Sequence, residues 1–451
     1  MNRATSLLRA HRAFAALLAI AFAFRVAVAV VHRPALFFSD SWDYLNHTFP
    51  LLFADTRPSG YPIILRALSA PFGLHPAGIT ALQHVAGLAG GTLLYAGLLR
   101  LGVRRWLAVA AAALVLLDFY AIALEQHLLA EAFFTFALVA GLACTIAARG
   151  RAPLLAAGGL LLAAAVLMRT AGIFLIPAWL VYVVWTRRGR LAPALACAAL
   201  ALPLLGYLAV HQHATGSFAF TRADGWFLYG RIGEISDCRG VDVAPEARPL
   251  CEHQLHGAGA VSYVWNPDSP AWRLFGTGPG GDPVHTDEQS RLLGTFARAV
   301  IRARPGRYAA LVATDFGRYF VPGVGSRGTS DTAIHLPTHP WEIVVIPELR
   351  DRFLPGYTPE IRTGSKPLRA VADVLHTPRW LMGLLAIAAL VAVLRGGPHR
   401  REIVLLTGAG LLMPLGAAAT SDMVVRYLLP SVPLLVAGGV LALEDLRASR
   451  A

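Results

Sequence analysis

Charge is what this chain has least of. Only 15% of its 451 residues are charged, against roughly 25% in an ordinary soluble domain. The deficit is concentrated: the runs 107–117, 154–168 and 381–394 hold no Asp, Glu, Lys or Arg. Lysine is almost missing, Lys366 being the only one, while Ala and Gly abound, a usage that points to a GC-rich, bacterial genome. No Walker A pattern and no Rossmann fingerprint occurs, which removes support for nucleotide-driven transport or nucleotide-sugar binding. There is no internal repeat of fixed period and no low-complexity tract. With 56% hydrophobic residues, these absences exclude a soluble enzyme, a disordered protein and a fibrous one. The expected fold class is an all-α polytopic membrane protein.

The net charge of +13 invites a nucleic-acid reading, but a nucleic-acid binder gathers its basic residues in a patch or tail. Here they stand in short gaps between apolar runs. The expected spans are about 12–32, 78–99, 106–124, 128–147, 153–168, 171–186, 191–210, 380–394, 402–419 and 427–443, ten in all. Arg3, Arg9 and Arg12 precede the first. Arg100, Arg104 and Arg105 follow the second, Arg149 and Arg151 the fourth, and Arg187, Arg188 and Arg190 the sixth. Arg395, Arg400 and Arg401 follow the eighth, and Arg447 and Arg450 end the sequence. All fall on one side, which the positive-inside rule makes cytoplasmic, with both termini inside. Residues 1–32 are expected to be a retained span, since the long apolar run contains Arg25 and no A-x-A-like cleavage site follows.

The outward segments are then 33–77, 125–127, Arg169-Thr170, 211–379 and 420–426. This divides the protein into an N-terminal membrane module (1–210), an outward mixed domain (211–379) and C-terminal spans (380–451). The stretch 211–379 is too long for a plain loop. In it Thr286-Asp-Glu-Gln289 has the pattern of a capping box, opening an amphipathic run to about Arg304, where Pro305-Gly306 stops it. Tyr308, Leu311, Val312 and Phe316 then recur at helical spacing.

The chemistry-bearing residues lie on that outward side. Asp40 and Asp43, in Phe37-Phe38-Ser39-Asp40-Ser41-Trp42-Asp43-Tyr44, share a face if the segment is helical. Carboxylates partly shielded by aromatics suit proton acceptance from a hydroxyl; the alternative is helix-capping or snorkelling residues at an interface. Arg57-Pro58-Ser59-Gly60-Tyr61-Pro62 fixes a turn and offers Arg57 to a phosphate, or to a headgroup from an ordinary loop. Arg25, Glu125, Glu131, Arg169 and Arg426 lie within or near the outer ends of spans. Each costs about 2.5–3.5 kcal/mol at a span centre, less near an end. They read as one outward-facing polar cavity, or as buried ion pairs between helices. Gln83, His84 and His127 read as hydrogen-bonded packing residues.

Cys144 and Cys197 read as packing residues. Cys238 and Cys251 stand in the outward domain, where a disulfide persists; the competing reading joins them to His253 and His256 as a metal site. No metal is assigned to His335 and His339 either, because Pro337 stands between them.

The order of these motifs resembles the GT-C superfamily of lipid-linked glycosyltransferases, most closely the aminoarabinose transferase and protein O-mannosyltransferase group. The likeness rests on a first span with an arginine, Asp40 followed by Tyr44, and the Pro58-x-Gly60-Tyr61-Pro62 turn. It rests also on Glu125 with Leu129-Ala-Glu131-Ala-Phe-Phe, on Leu167-Met-Arg169 with Pro177, and on Ile301-x3-Pro305-x2-Tyr308. Arg426-Tyr427-Leu-Leu-Pro430-x2-Pro433 completes it. The resemblance implies a bundle of about ten membrane helices and an Asp as general base: Asp40, or Asp43, since Ser41 stands where many relatives carry a second acid. It implies a donor phosphate held by Arg169, Arg57 and Arg426, in a substrate cavity with Tyr44, Tyr61, Glu125, Glu131, Arg25 and Tyr427. The implied donor is a polyprenyl-phosphate sugar, mannose- or arabinose-like, and the acceptor a glycan, lipid or protein of the cell envelope. No cofactor and no nucleic acid is implied. Two other classes fit the composition: an O-antigen-ligase-like transferase depending on His285 or Arg318, and a lipid or sugar flippase.

Overall fold

The structure is a computed structural model describing residues 10–53, 56–71, 73–186, 189–252, 254–255, 258–276, 286–323 and 334–449. Arg3, Arg9, Arg187, Arg188, His253, His256, His285 and Arg450 lie outside the described residues.

The chain begins with α1 (Arg12–Val31), then α2 (Ser39–Asn46), α3 (Gly60–Ser69) and α4 (Pro76–Arg100). The membrane module continues through α5 (Arg105–Leu116), α6 (Phe119–Gln126), α7 (Glu131–Ala148), α8 (Ala152–Met168), α9 (Ile176–Thr186) and α10 (Leu191–Thr215). Between α10 and the last spans, the described residues form a cap of mostly short helices: α11 (Asp224–Ile232), α12 (Ala260–Trp265), α13 (Pro270–Phe275), α14 (Asp287–Ala303), α15 (Pro305–Arg318), α16 (Pro347–Phe353) and α17 (Ser365–Val374). The last spans are α18 (Arg379–Arg395), α19 (Arg400–Thr420) and α20 (Val432–Ala448). Among the described residues the sheet is a single antiparallel pair, β1 (His32–Arg33) with β2 (Glu360–Ile361).

Seven of the described helical stretches are long and apolar enough to cross a membrane. The expected span 106–124 is a bent pair instead, α5 and α6 meeting at 46°. Asp118 makes the break: its carboxylate caps α6 by accepting from the Tyr120 and Ala121 amides at 3.0 and 3.2 Å. The expected spans 153–168 and 171–186 are the shorter apolar helices Ala152–Met168 and Thr170–Thr186, below the length of the seven. The second opens as a 3-10 turn, Thr170–Leu175.

Small residues let the helices close. α8 packs against α7 and α10, and a Cβ on Gly159 would fall on the Ala196 carbonyl of α10, the close backbone approach typical of membrane bundles. At one end of the bundle, polar contacts join the arginine-bearing loops. His11 Nδ1 lies 2.7 Å from the Tyr95 hydroxyl, Arg104 reaches Glu444 at 2.7 Å, and His399 Nδ1 is 2.6 Å from Asp445. The cap is fastened to the other end. The Tyr308 hydroxyl donates to the Ala419 carbonyl at 2.7 Å, Tyr319 to the Asp422 carbonyl at 3.3 Å, and the Val261 amide to the Asp422 carboxylate at 3.3 Å.

Inside the cap, α11 packs on α14 around Trp226, Tyr229, Leu293 and Phe296. The capping box predicted at Thr286 is formed, with Gln289 as its reciprocal partner. Cys238 and Cys251 are joined, their Cα atoms 5.5 Å apart.

Candidate active site

Asp40 and Asp43 are placed by α2, whose position is set from both sides. The Leu36 amide donates to the Gln126 carbonyl at 2.9 Å and the Leu128 amide to the Leu36 carbonyl at 3.0 Å, so the approach to α2 is stitched to the corner after α6. Ser41 is consumed in capping: its Oγ accepts from the Phe38 amide at 3.0 Å. The Trp42 indole donates to the Val344 carbonyl of the cap at 2.8 Å. One turn of helix then separates the two carboxylates, which face the same way.

Arg57 and Arg169 are brought near each other by a glycine. Gly60 opens α3 so close to the end of α8 that a Cβ there would meet the Leu167 carbonyl. Only a residue without a side chain permits that approach.

The charges then form one network. Arg57 donates from Nη2 to Asp40 Oδ1 at 2.7 Å and from Nη1 to Asp43 Oδ2. Arg426 donates from Nη1 to the other oxygen of Asp40 at 2.9 Å, and its Nε lies 3.6 Å from Glu131. Arg169 is paired with the same Glu131 oxygen. His47 Nδ1 lies 3.3 Å from Asp43. Tyr44 faces the Arg57 guanidinium at 5.6 Å, and Tyr427 lies under both Arg169 and Arg426, at 5.4 and 5.6 Å, within cation–π range. Three guanidiniums thus meet three carboxylates.

Burial works against the charge of Asp40, but Arg57, Arg426 and Arg169 outweigh it and hold the carboxyl at about 2. For Asp43 burial is again the larger opposing effect, and Arg57 with His47 still brings the carboxyl below its ordinary value. Burial pushes the Tyr44 phenol well above its ordinary range. The two acids differ in access: Asp40 is 7% exposed, whereas the Asp43 side chain is 31% exposed.

These residues border a cavity of about 1010 Å³ between the bundle and the cap. Asp40, Asp43, Tyr44, Arg57, Arg169, Arg426 and Tyr427 all line it. Glu131 stands behind the arginines and borders a separate, smaller crevice with Glu125.

Besides Glu131, three expected members of the cavity are elsewhere. Arg25 grips Glu125 with two bonds of 2.8 and 2.9 Å and donates to the Leu116 and Ala21 carbonyls at 2.9 and 3.2 Å. His84 Nδ1 adds a contact to Glu125 at 2.8 Å. This is a saturated buried pair tying α1, α4 and α6 together, which is the ion-pair reading of those residues. Tyr61 is fully buried behind Tyr44, its hydroxyl donating to Gln83 at 2.7 Å. Arg318 does not line the cavity and lies 3.3 Å from Asp315.

The far wall was not anticipated from sequence. Phe220, Asp224, Phe227 and Leu228 from around α11, and Val261 and Trp265 from α12, line the same cavity. No local motif marks them; only the packing of α11 on α14 turns that face inward.

Comparison with known proteins finds a match between residues 69–215 and the family model of dolichyl-phosphate-mannose-protein mannosyltransferases. The matched stretch includes Glu131 and Arg169 of the site. Among solved structures, the chain is similar to ArnT from Cupriavidus metallidurans in the apo state, at 16% identity and a TM-score of 0.36, covering 97% of this chain and 78% of that one. The same protein bound to undecaprenyl phosphate aligns at 13% identity and a TM-score of 0.36, over 96% and 78% of the two chains. The archaeal oligosaccharyltransferase AglB from Archaeoglobus fulgidus, in complex with an inhibitory peptide and a dolichol-phosphate, aligns at 13% identity and a TM-score of 0.41, over 98% and 52%. No curated protein matches the chain.

Proposed function

We propose that this chain is an integral membrane glycosyltransferase. It moves a mannose- or arabinose-like sugar from a polyprenyl-phosphate donor to a hydroxyl of a cell-envelope acceptor, at the outer face of the membrane, with both termini cytoplasmic. The observation that carries this reading is the convergence of Arg57 and Arg426 on Asp40, with Arg169 on the neighbouring Glu131, at the rim of one cavity. The mannosyltransferase match over residues 69–215 and the order of motifs along the sequence support it.

Guanidiniums are strong partners for phosphate oxygens. In the resting protein they are occupied by carboxylates, so the donor's phosphate enters by exchange and takes over donors now given to Asp40 and Asp43. Released from its ion pairs, Asp40 becomes basic enough to accept a proton. The acceptor oxygen attacks the anomeric carbon, and its proton passes to Asp40. The bond from the anomeric carbon to the phosphate oxygen breaks, leaving the electron pair on polyprenyl phosphate. The arginines stabilise the charge that develops there.

Asp40→Asn and Asp43→Asn, assayed for transfer from a polyprenyl-phosphate sugar, test the assignment. Loss of transfer in Asp40→Asn with binding of polyprenyl phosphate intact supports Asp40 as the base. Full activity of Asp40→Asn removes it from that role, and loss in Asp43→Asn alone transfers the role to Asp43.

A further inference from the structure

The arginine–carboxylate cluster occupies one part of the cavity. The wall contributed by the cap has a different chemistry, and we propose that it is a subsite for a saccharide acceptor, one that seats a neutral sugar ring. This inference rests on the transferase reading above and narrows its acceptor class.

Helix α11 presents Asp224, Phe227 and Leu228 to the cavity on one face, at the i, i+3, i+4 spacing that brings side chains together. Its other face carries Trp226 and Tyr229, both fully buried in the cap core, so its orientation is fixed by packing. Trp265, at the end of α12, is 40% exposed. Its ring centroid lies 6.4 Å from that of Phe227, with the planes at 70°. Two ring faces therefore meet at a corner. Beside that corner the Thr221 hydroxyl donates to Asp224 Oδ1 at 2.6 Å, fixing the carboxylate and leaving Oδ2 for a ligand.

A pyranose is amphipathic in the complementary way: a flat C–H face and a rim of hydroxyl donors. Aromatic faces bury the first at little entropic cost. A carboxylate accepts from the second, in the stronger class of hydrogen bond.

The location separates this wall from one built for a lipid chain. A polyprenyl tail belongs in the bilayer, whereas α11 and α12 belong to the cap, which is fastened above the ends of the spans through Tyr308 and Val261. The charge argues the same way against a phosphorylated acceptor. The titratable side chains that line the cavity on the cap wall, on α2 below it and at the residue after α2 are Asp224, Asp40, Asp43, Tyr44 and His47. No arginine stands among the described residues of the cap wall, and the cavity's arginines are those the donor's phosphate takes. At about 1010 Å³ the cavity reaches the upper end of the range for small-molecule sites, about 300–1,000 Å³, which leaves room for a second ring beside the donor's.

Saturation-transfer NMR on the full chain in detergent tests this, with linear mannotetraose and glucotetraose as probes. A Ser/Thr octapeptide and hexa-acylated lipid A serve as the competing classes, and undecaprenyl phosphate is titrated separately. The expected result is saturation of ring C–H protons of at least one tetrasaccharide. Affinity should fall about tenfold in Trp265→Ala and in Asp224→Asn and be kept in Trp265→Phe, which retains a ring face. The inference is overturned if undecaprenyl phosphate binds but neither tetrasaccharide does. It is also overturned if the peptide or lipid A binds in a Trp265-dependent way, or if Trp265→Ala binds the saccharide as well as the unmodified protein. Failure of undecaprenyl phosphate to bind overturns the transferase reading itself, and this inference with it.

Discussion

Arg57 and Asp40 are bonded at 2.7 Å, so on the proposed function the guanidinium offered to the donor's phosphate is already held by the acid proposed as the base. Arg57 holds Asp43 as well. Phosphate and carboxylate therefore compete for one group, and the sign of a substitution at Asp43 follows. Asp43→Asn removes a competing anion without removing a phosphate partner. Undecaprenyl phosphate should bind about three- to tenfold more tightly to that variant, and at least about tenfold more weakly to Arg57→Ala. Titration by microscale thermophoresis in detergent reads both. An Asp43→Asn variant that binds more weakly than the parent removes the competition from the account.

The same competition gives Asp40 two acidities. With its arginines in place the carboxyl is held at about 2. A folded-state value depressed below the unfolded one, 3.8, contributes stability that is present above the unfolded value and is lost as pH falls toward about 2. Asp40 thus stays ionised in the donor-free protein throughout ordinary assay conditions. The acid limb of kcat/KM, which reports the free protein, should not appear above about pH 4 on its account. Once phosphate draws the guanidiniums away, the carboxyl moves back up, and the acid limb of kcat should lie higher by about one unit or more. Coincident limbs in the two profiles would mean that the ion pairs of Asp40 survive donor binding.

Much of this is legible in the sequence. Charge-free runs mark apolar helices, because a helix satisfies its own backbone in a bilayer, but 107–117 is half of a bent pair and 154–168 is shorter than the seven long spans. Asp40 and Asp43 share a face because their spacing is one helical turn. What sequence did not disclose is partnership. Arg25 and Glu125 carry the same charges as Arg57 and Asp40 at similar depth, yet they close on each other away from the cavity; composition cannot tell a saturated pair from a poised one. Phe227 and Trp265 were invisible for another reason. They stand 38 residues apart on short helices whose inward face is decided by packing, α11 against α14 and α12 against α11. The break at Asp118 has no signature of its own, because a capping carboxylate inside an apolar run looks like one more intramembrane charge.

Gly60 is the cheapest place to disturb the site without touching a charge. Its missing side chain lets α3 approach the Leu167 carbonyl, and backbone cannot rotate aside as a side chain can. Gly60→Ala should force the start of α3 away from α8, costing about 1–3 kcal/mol and separating Arg57 from Arg169. The measurable consequence is loss of undecaprenyl phosphate affinity together with a lower Tm in detergent. A variant with unchanged affinity and Tm would show that the contact relaxes without strain.

Arg25 and Glu125 should behave as structure and nothing more. Their pair is buried at 2% and 4% exposure, bidentate, and further satisfied by His84 and two backbone carbonyls. Glu125→Ala leaves an uncompensated guanidinium between α1, α4 and α6, with an expected cost of about 3–5 kcal/mol. Replacing both partners, Arg25→Met with Glu125→Leu, removes the stranded charge and should recover most of that loss, because a buried pair contributes little against well-packed apolar side chains. Thermal unfolding of the two variants in detergent makes the comparison. KM for the donor in the double variant supplies the second readout: it should match the parent, since neither residue lines the cavity. A double variant with parental Tm but a raised KM would return Arg25 or Glu125 to the substrate site.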